Sequence, residues 1–142
     1  MKAICLSDIH GNDVKYRKLC GYIKQTLPDA VFIAGDVLPN YYVTEPLEFI
    51  DDTLKPLLSD LKEEMKQAYP DIFLITGNDD AAVSCEHLRY LELKGLIHFA
   101  NKMVMDQKGY TVLGYPYVPP TPFLLKDWEK YDVSRYLPRD TV

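Results

Sequence analysis

Four side chains in this sequence carry donor atoms in an arrangement that could do chemistry. Asp8 and His10 stand two apart in "SDIHGN", Asp36 closes "AGD", and Asn78 sits in "TGND". Each group directly follows an apolar run. Residues two apart in a strand point to the same face, so Asp8 and His10 are expected to project together at the end of the first run. Two carboxylates, an imidazole and an amide make a mixed oxygen and nitrogen set, which suits Mn, Fe, Zn or Co better than Ca. Glycines at 11, 35 and 77 keep side-chain bulk away from the same places. Three unrelated turns with capping acids are the plainer reading, but that reading leaves the histidine unexplained.

The elements that would position these residues follow from the spacing. "KAICLSD", "DAVFIAGD" and "DIFLITGND" are near-continuous apolar runs of the kind buried on both faces of a parallel sheet. Between the first two, Leu19, Ile23 and Leu27 recur at helical spacing behind an N-cap at Asn12 or Asp13. Residues 45–69 read as a second helix that Pro56 breaks or restarts. "DDAAVSCEHLRYLELKG" reads as a third helix, closed by Gly95. Strand and helix alternate three times, which predicts an α/β fold with right-handed crossovers. Open parallel sheets hold ligands beyond the carboxyl ends of their strands, where all four candidate residues fall. Further on, "LIHFA", "KMVMDQ" and "GYTVLGY" predict short strands with a hairpin turn at "QKG". They extend the first sheet or begin a second. Residues 116–123, with four prolines, predict an extended loop.

Composition narrows the function classes. At 142 residues the chain suits one domain, residues 1–142, with a true core. The net charge of −5 gives no sign of a nucleic-acid surface. It would also repel a phosphate ester, so phosphate chemistry would require local positive charge, most simply from metal ions. No apolar run is long enough for a membrane span. The three cysteines form no C-x-x-C pair, which predicts free, mostly buried thiols and a cytoplasmic setting. A nucleotide-binding domain is disfavoured, because neither G-x-G-x-x-G nor G-x-x-x-x-G-K-[S/T] follows any strand.

Taken together, "SDIHGN", "AGDV" and "TGNDD" resemble the successive D-x-H, G-D and G-N-x-[D/E] blocks of the calcineurin-like metallophosphoesterases. The resemblance spans residues 8–80. It implies a sandwich of two β-sheets flanked by helices. It also implies two divalent metal ions: Asp8 and His10 would ligate the first, Asp36 would bridge both, and Asn78 would ligate the second. The implied reaction is hydrolysis of a phosphate mono- or diester by in-line attack at phosphorus.

The chain departs from the family pattern at two places. Asp79 stands where many members carry a histidine thought to protonate the leaving group. A carboxylic acid of ordinary pKa is ionised at neutral pH and cannot donate. Asp79 as catalytic acid is therefore doubtful, and Asp79 and Asp80 also suit a helix start, where the helix dipole favours acids. The family also uses three further histidines, one alone and a G-H-x-H pair. Only His87 and His98 are left here, both too early in the chain, and both read as structural. The expectation is an amino-terminal, incomplete phosphoesterase domain whose uncovered sheet face drives homo-oligomerisation. Tyr115, Tyr117 and Phe123 read as parts of a rigid connector, while Trp128, Tyr131 and Tyr136 read as packing residues. The alternative to an enzyme is a catalytically impaired module of this fold that binds other proteins.

Overall fold

The three apolar runs become neighbouring strands of one parallel sheet. Residues 1–40 and 45–131 are described in a computed structural model. Strands β1 (Ala3–Leu6), β2 (Ala30–Ala34), β3 (Asp71–Ile75) and β4 (His98–Phe99) lie side by side in that order, every pair parallel. β5 (Val104–Gln107) and β6 (Tyr110–Leu113) form a separate antiparallel hairpin. The last three predicted strands thus divide: the first extends the sheet and the other two begin a second.

Register divides the sheet into two faces. Ile4, Val31 and Ile72 share one row, and Leu6, Ile33, Leu74 and Phe99 share another. These rows belong to the main core, which also takes in α1 (Asp13–Thr26), α3 (Lys55–Met65) and α4 (Cys85–Leu93) through Ile23, Leu58, Leu61, Leu88 and Leu91. Ile23, Leu88 and Leu91 are fully buried, and burial of each contributes roughly 1.5–3 kcal/mol. The other face carries Cys5, Phe32, Phe73 and His98 in one row. There the expectation of burial on both faces fails at β1, where Ala3 and Cys5 are exposed. The hairpin approaches this face and leaves a cavity of about 210 Å³ between Phe32, Phe73, Tyr110 and Val112. Among the cysteines, Cys20 is buried, but Cys5 lies open on this face.

Three helix expectations change in detail. Asn12 is the N-cap of α1, its Oδ1 accepting from the Lys15 amide at 3.0 Å. Leu27 falls just past the last turn and is exposed, so Tyr16, Leu19, Cys20 and Ile23 form the buried stripe instead. The second helix is interrupted as predicted: α2 (Pro46–Phe49) runs into a wide π turn at Ile50–Leu54 before α3. Pro56, in the first turn of α3, has no N–H to offer the carbonyl four residues back, and the turn widens there. The third helix starts later than predicted, at Cys85 after one 3-10 turn at Ala82–Ser84. Asp79 and Asp80 therefore do not begin it. Gly95, with φ +65°, closes it as expected. Trp128 is buried, whereas Tyr131 is exposed rather than part of the core. Tyr136 lies outside the described residues. No helix among the described residues is long and apolar enough to cross a membrane.

Candidate metal centre

The site is built where the first two strands run out into loops. The loop after β1 stays zipped to the loop after β2 by three backbone bonds. Asp8 N–H donates to Gly35 O at 3.2 Å, His10 N–H to Asp36 O at 2.8 Å, and Gly11 N–H to Val37 O at 2.9 Å. Asp8, His10 and Asp36 are brought together with their donor atoms all within 4.8 Å of one another. Among the described residues this is the one grouping of three or more His, Cys, Asp or Glu side chains that could hold a metal ion. Ligand oxygens and nitrogens at about 2.1 Å from one ion lie up to about 4.2 Å apart. Sub-ångström side-chain movement would close the group on a divalent cation.

All three residues have a left-handed backbone, with φ of 56° at Asp8, 51° at His10 and 51° at Asp36. Non-glycine residues held there cost on the order of 1 kcal/mol or more each. Two glycines make the arrangement possible. Gly35 has φ +92°, and a Cβ on it would press on Gly77. A Cβ on Gly77 would collide with the Asp36 carboxylate. The third loop can therefore approach the second only with bare backbone at both contacts.

That third loop, after β3, brings Asp79 to the cluster, with Asn78 bonded to it. Asp79 N–H donates to Asp36 Oδ1 at 3.0 Å, and the Asp79 carboxylate lies 3.7 Å from His10 Nδ1. The Asn78 amide nitrogen donates to Asp79 Oδ1 at 2.8 Å. The loop is braced from below by Asn101, whose Oδ1 accepts from Thr76 N–H at 2.9 Å. Burial pushes the Asp36 carboxyl above its ordinary range, against the bond from Asp79 N–H. The Asp79 and Asp8 carboxylates add to the rise, and His10 opposes it. Carboxylates crowded around one imidazole are relieved by a cation, so the donor set fits a divalent metal.

The remaining histidines lie elsewhere. His87 Nδ1 is 3.1 Å from Asp51 on the helical side, and His98 Nε2 is 3.2 Å from Asp71 on the second sheet face. Both have structural partners, in keeping with the reading from sequence. Sequence reasoning treated Asp80 as a helix-start acid, and here it was wrong: Asp80 is fully buried beneath the site. Two signals were available: a second acid directly after Asp79, and the [D/E] that closes the G-N-x-[D/E] block.

The sequence profile of the calcineurin-like phosphoesterases matches residues 1–140. The chain belongs to that family. As a class, members of this family are metal-dependent phosphoesterases. Solved structures agree on the fold. TT1561 of Thermus thermophilus is similar with a TM-score of 0.64 and 17% identity, covering 94% of this chain and 58% of that one. A second crystal structure gives a TM-score of 0.61 at 17% identity, covering 95% and 61% respectively. This phosphoesterase domain thus spans about three-fifths of each of those chains. No curated protein matches the sequence.

Proposed function

We propose that this domain hydrolyses a phosphate mono- or diester at a dinuclear divalent centre, with Mn, Fe, Zn or Co as the metals. The observation that carries the proposal is the meeting of Asp8, His10 and Asp36 within 4.8 Å inside a domain of this family. Asp8 and His10 would hold one ion, Asp36 would bridge, and Asn78 would complete the second position. When bound, such ions draw phosphoryl charge and make water more acidic.

The chain's own groups then have separate tasks. Asp8 and Asp36 offset the ionic charge, and the Asp79 carboxylate, 3.7 Å away, orients the His10 ring from its Nδ1 side. Asp79 takes the place of a proton-donating histidine, so esters with good leaving groups, such as aryl phosphates, are the favoured class. Free thiols suit a cytoplasmic setting.

The test is hydrolysis of an aryl phosphodiester by the Mn-loaded chain, with Asp36→Ala as control. Metal-dependent turnover lost in the variant supports the proposal. Turnover surviving Asp36→Ala counts against it, and equal rates on alkyl and aryl esters count against the role given to Asp79.

A second reading has one observation in its favour. His87 and His98 are each engaged with a carboxylate outside the cluster, so the centre has only one histidine among the described residues. The domain would then serve as a binding module through the open sheet face around Cys5 and Phe32, first of all with a second copy of itself. Light scattering tests this, and a monodisperse monomer would contradict it.

A further inference from the structure

We infer that Asp80 is the positioning residue of the candidate centre, holding Asp36 and the Asn78 loop in place through backbone amides without itself ligating an ion. The inference rests on the reading of Asp8, His10 and Asp36 as metal ligands.

Asp80 has no solvent exposure, and a carboxylate is costly to bury unless hydrogen bonds compensate. Its compensation comes entirely from the two loops that meet at the site. Val37 N–H lies 3.0 Å from both Asp80 oxygens, Leu38 N–H donates to Oδ1 at 2.8 Å, and Gly77 N–H donates to Oδ2 at 2.8 Å. Charge-assisted bonds of this type are about twice as strong as neutral ones.

The identity of the gripped amides explains what the grip does. Val37 and Leu38 directly follow Asp36, the residue with φ 51°. A left-handed aspartate relaxes unless the chain beyond it is held. Gly77 directly precedes Asn78. One side chain thus fixes the residue after one donor and the residue before another, Val37 and Gly77, which lie far apart in sequence. Asp80 is itself anchored: its N–H donates to Gly77 O at 3.2 Å, and the Trp128 indole donates to its carbonyl at 2.5 Å. A helix-start role does not account for this, since the helix begins only at Cys85. With both oxygens engaged by amides and shut off from solvent, Asp80 acts through Asp36.

The experiment measures Mn²⁺ binding by calorimetry on the full chain, alongside the metal-free melting temperature. It compares wild type, Asp36→Ala, Asp80→Asn and Ile23→Val, the last as a mildly destabilised core control. Asp80→Asn replaces one acceptor oxygen with a donor that opposes an amide. It is expected to weaken Mn²⁺ binding about tenfold or more, the range typical for groups that orient metal ligands. Ile23→Val leaves affinity unchanged while lowering the melting temperature.

A folded Asp80→Asn that binds Mn²⁺ as wild type does overturns the inference and leaves the metal reading intact. Wild type that binds no Mn²⁺ overturns the metal reading itself. Hydrogen exchange on the metal-free wild type gives a check independent of any variant. The amides of Val37, Leu38 and Gly77 are expected to be protected, and rapid exchange at all three overturns the grip.

Discussion

Two groupings of aspartate and histidine occupy this small molecule, and they are built on opposite principles. On the second sheet face, Asp71 accepts from Lys108 Nζ at 2.8 Å, Gln107 Nε2 at 3.0 Å and His98 Nε2 at 3.2 Å. One carboxylate is met there by three donors; Asp71, His98 and Gln107 lie on strands and Lys108 in the left-handed hairpin turn, with His98 stacked on Phe73 at 4.9 Å. Beyond the strand ends the proportion reverses. Asp8, Asp36 and Asp79 crowd one imidazole. The nearby Lys15 ammonium donates to the Asp8 carbonyl at 3.0 Å. Here the backbone is left-handed at each of the three clustered residues. The two groupings differ in kind: the Asp71 carboxylate, on strand backbone, is met by donors, whereas the cluster beyond the strand ends gathers surplus negative charge on left-handed backbone, which a cation would relieve.

The comparison can be broken most directly by exchanging charge at each place. Asp36→Asn is expected to lower Mn²⁺ affinity by about a hundredfold or more, given that loss even of a supporting group costs 10- to 100-fold. Asp71→Asn should leave it unchanged, and calorimetry on both variants decides. Equal losses would show that the two groupings are not distinct.

Next in size is Gly77→Ala. Its new methyl meets the Asp36 carboxylate, and the overpacking should cost about 1–3 kcal/mol in urea unfolding. An unchanged midpoint would mean that the third loop does not press on the second.

Asp8→Gly runs in the opposite direction. Relief at φ 56° should raise metal-free stability by up to about 1 kcal/mol, net of the greater freedom glycine has when unfolded, while metal binding is lost. A destabilised Asp8→Gly would remove strain as a mark of the site.

The smallest effect concerns acid. Burial alone would push the Asp71 carboxyl up, but the bonds from Lys108, His98 and Gln107 outweigh it and hold it below its ordinary 3.8. A depressed folded-state pKa stabilises above the unfolded value, and that stabilisation disappears as pH falls through 3.8 and below. Since Lys108 is largely exposed, a loss of under about 1 kcal/mol is expected. Acid titration of unfolding should show a shallower decline in Asp71→Asn than in wild type, and identical slopes would contradict the assignment.

Much of this was legible in sequence because the informative signals were local. An apolar run followed by glycine and an acid reports a buried strand and its exit, so β1, β2, β3 and the positions of Asp8, His10 and Asp36 could be read directly. Asn12 as cap, Pro56 as an interruption and Gly95 as a terminator are likewise local steric facts. Leu27 misled because helical periodicity continues past the point where the chain leaves the helix. Cys5 misled because an apolar residue in a strand reads as buried on whichever side it points, and only the neighbouring layer decides whether that side is covered.

By itself, then, the amino-acid order determined the α/β rhythm, the family and the residue types able to bind a metal. Each of these depends on contacts and preferences within a few residues. Tertiary structure alone decided that Asp80 is a buried brace, that Asp79 faces His10 and that His98 belongs to Asp71. Those outcomes join residues 27 to 69 positions apart, and no local pattern encodes which distant amide a carboxylate will meet. Register and loop approach make that choice, through the bare backbone of Gly35 and Gly77.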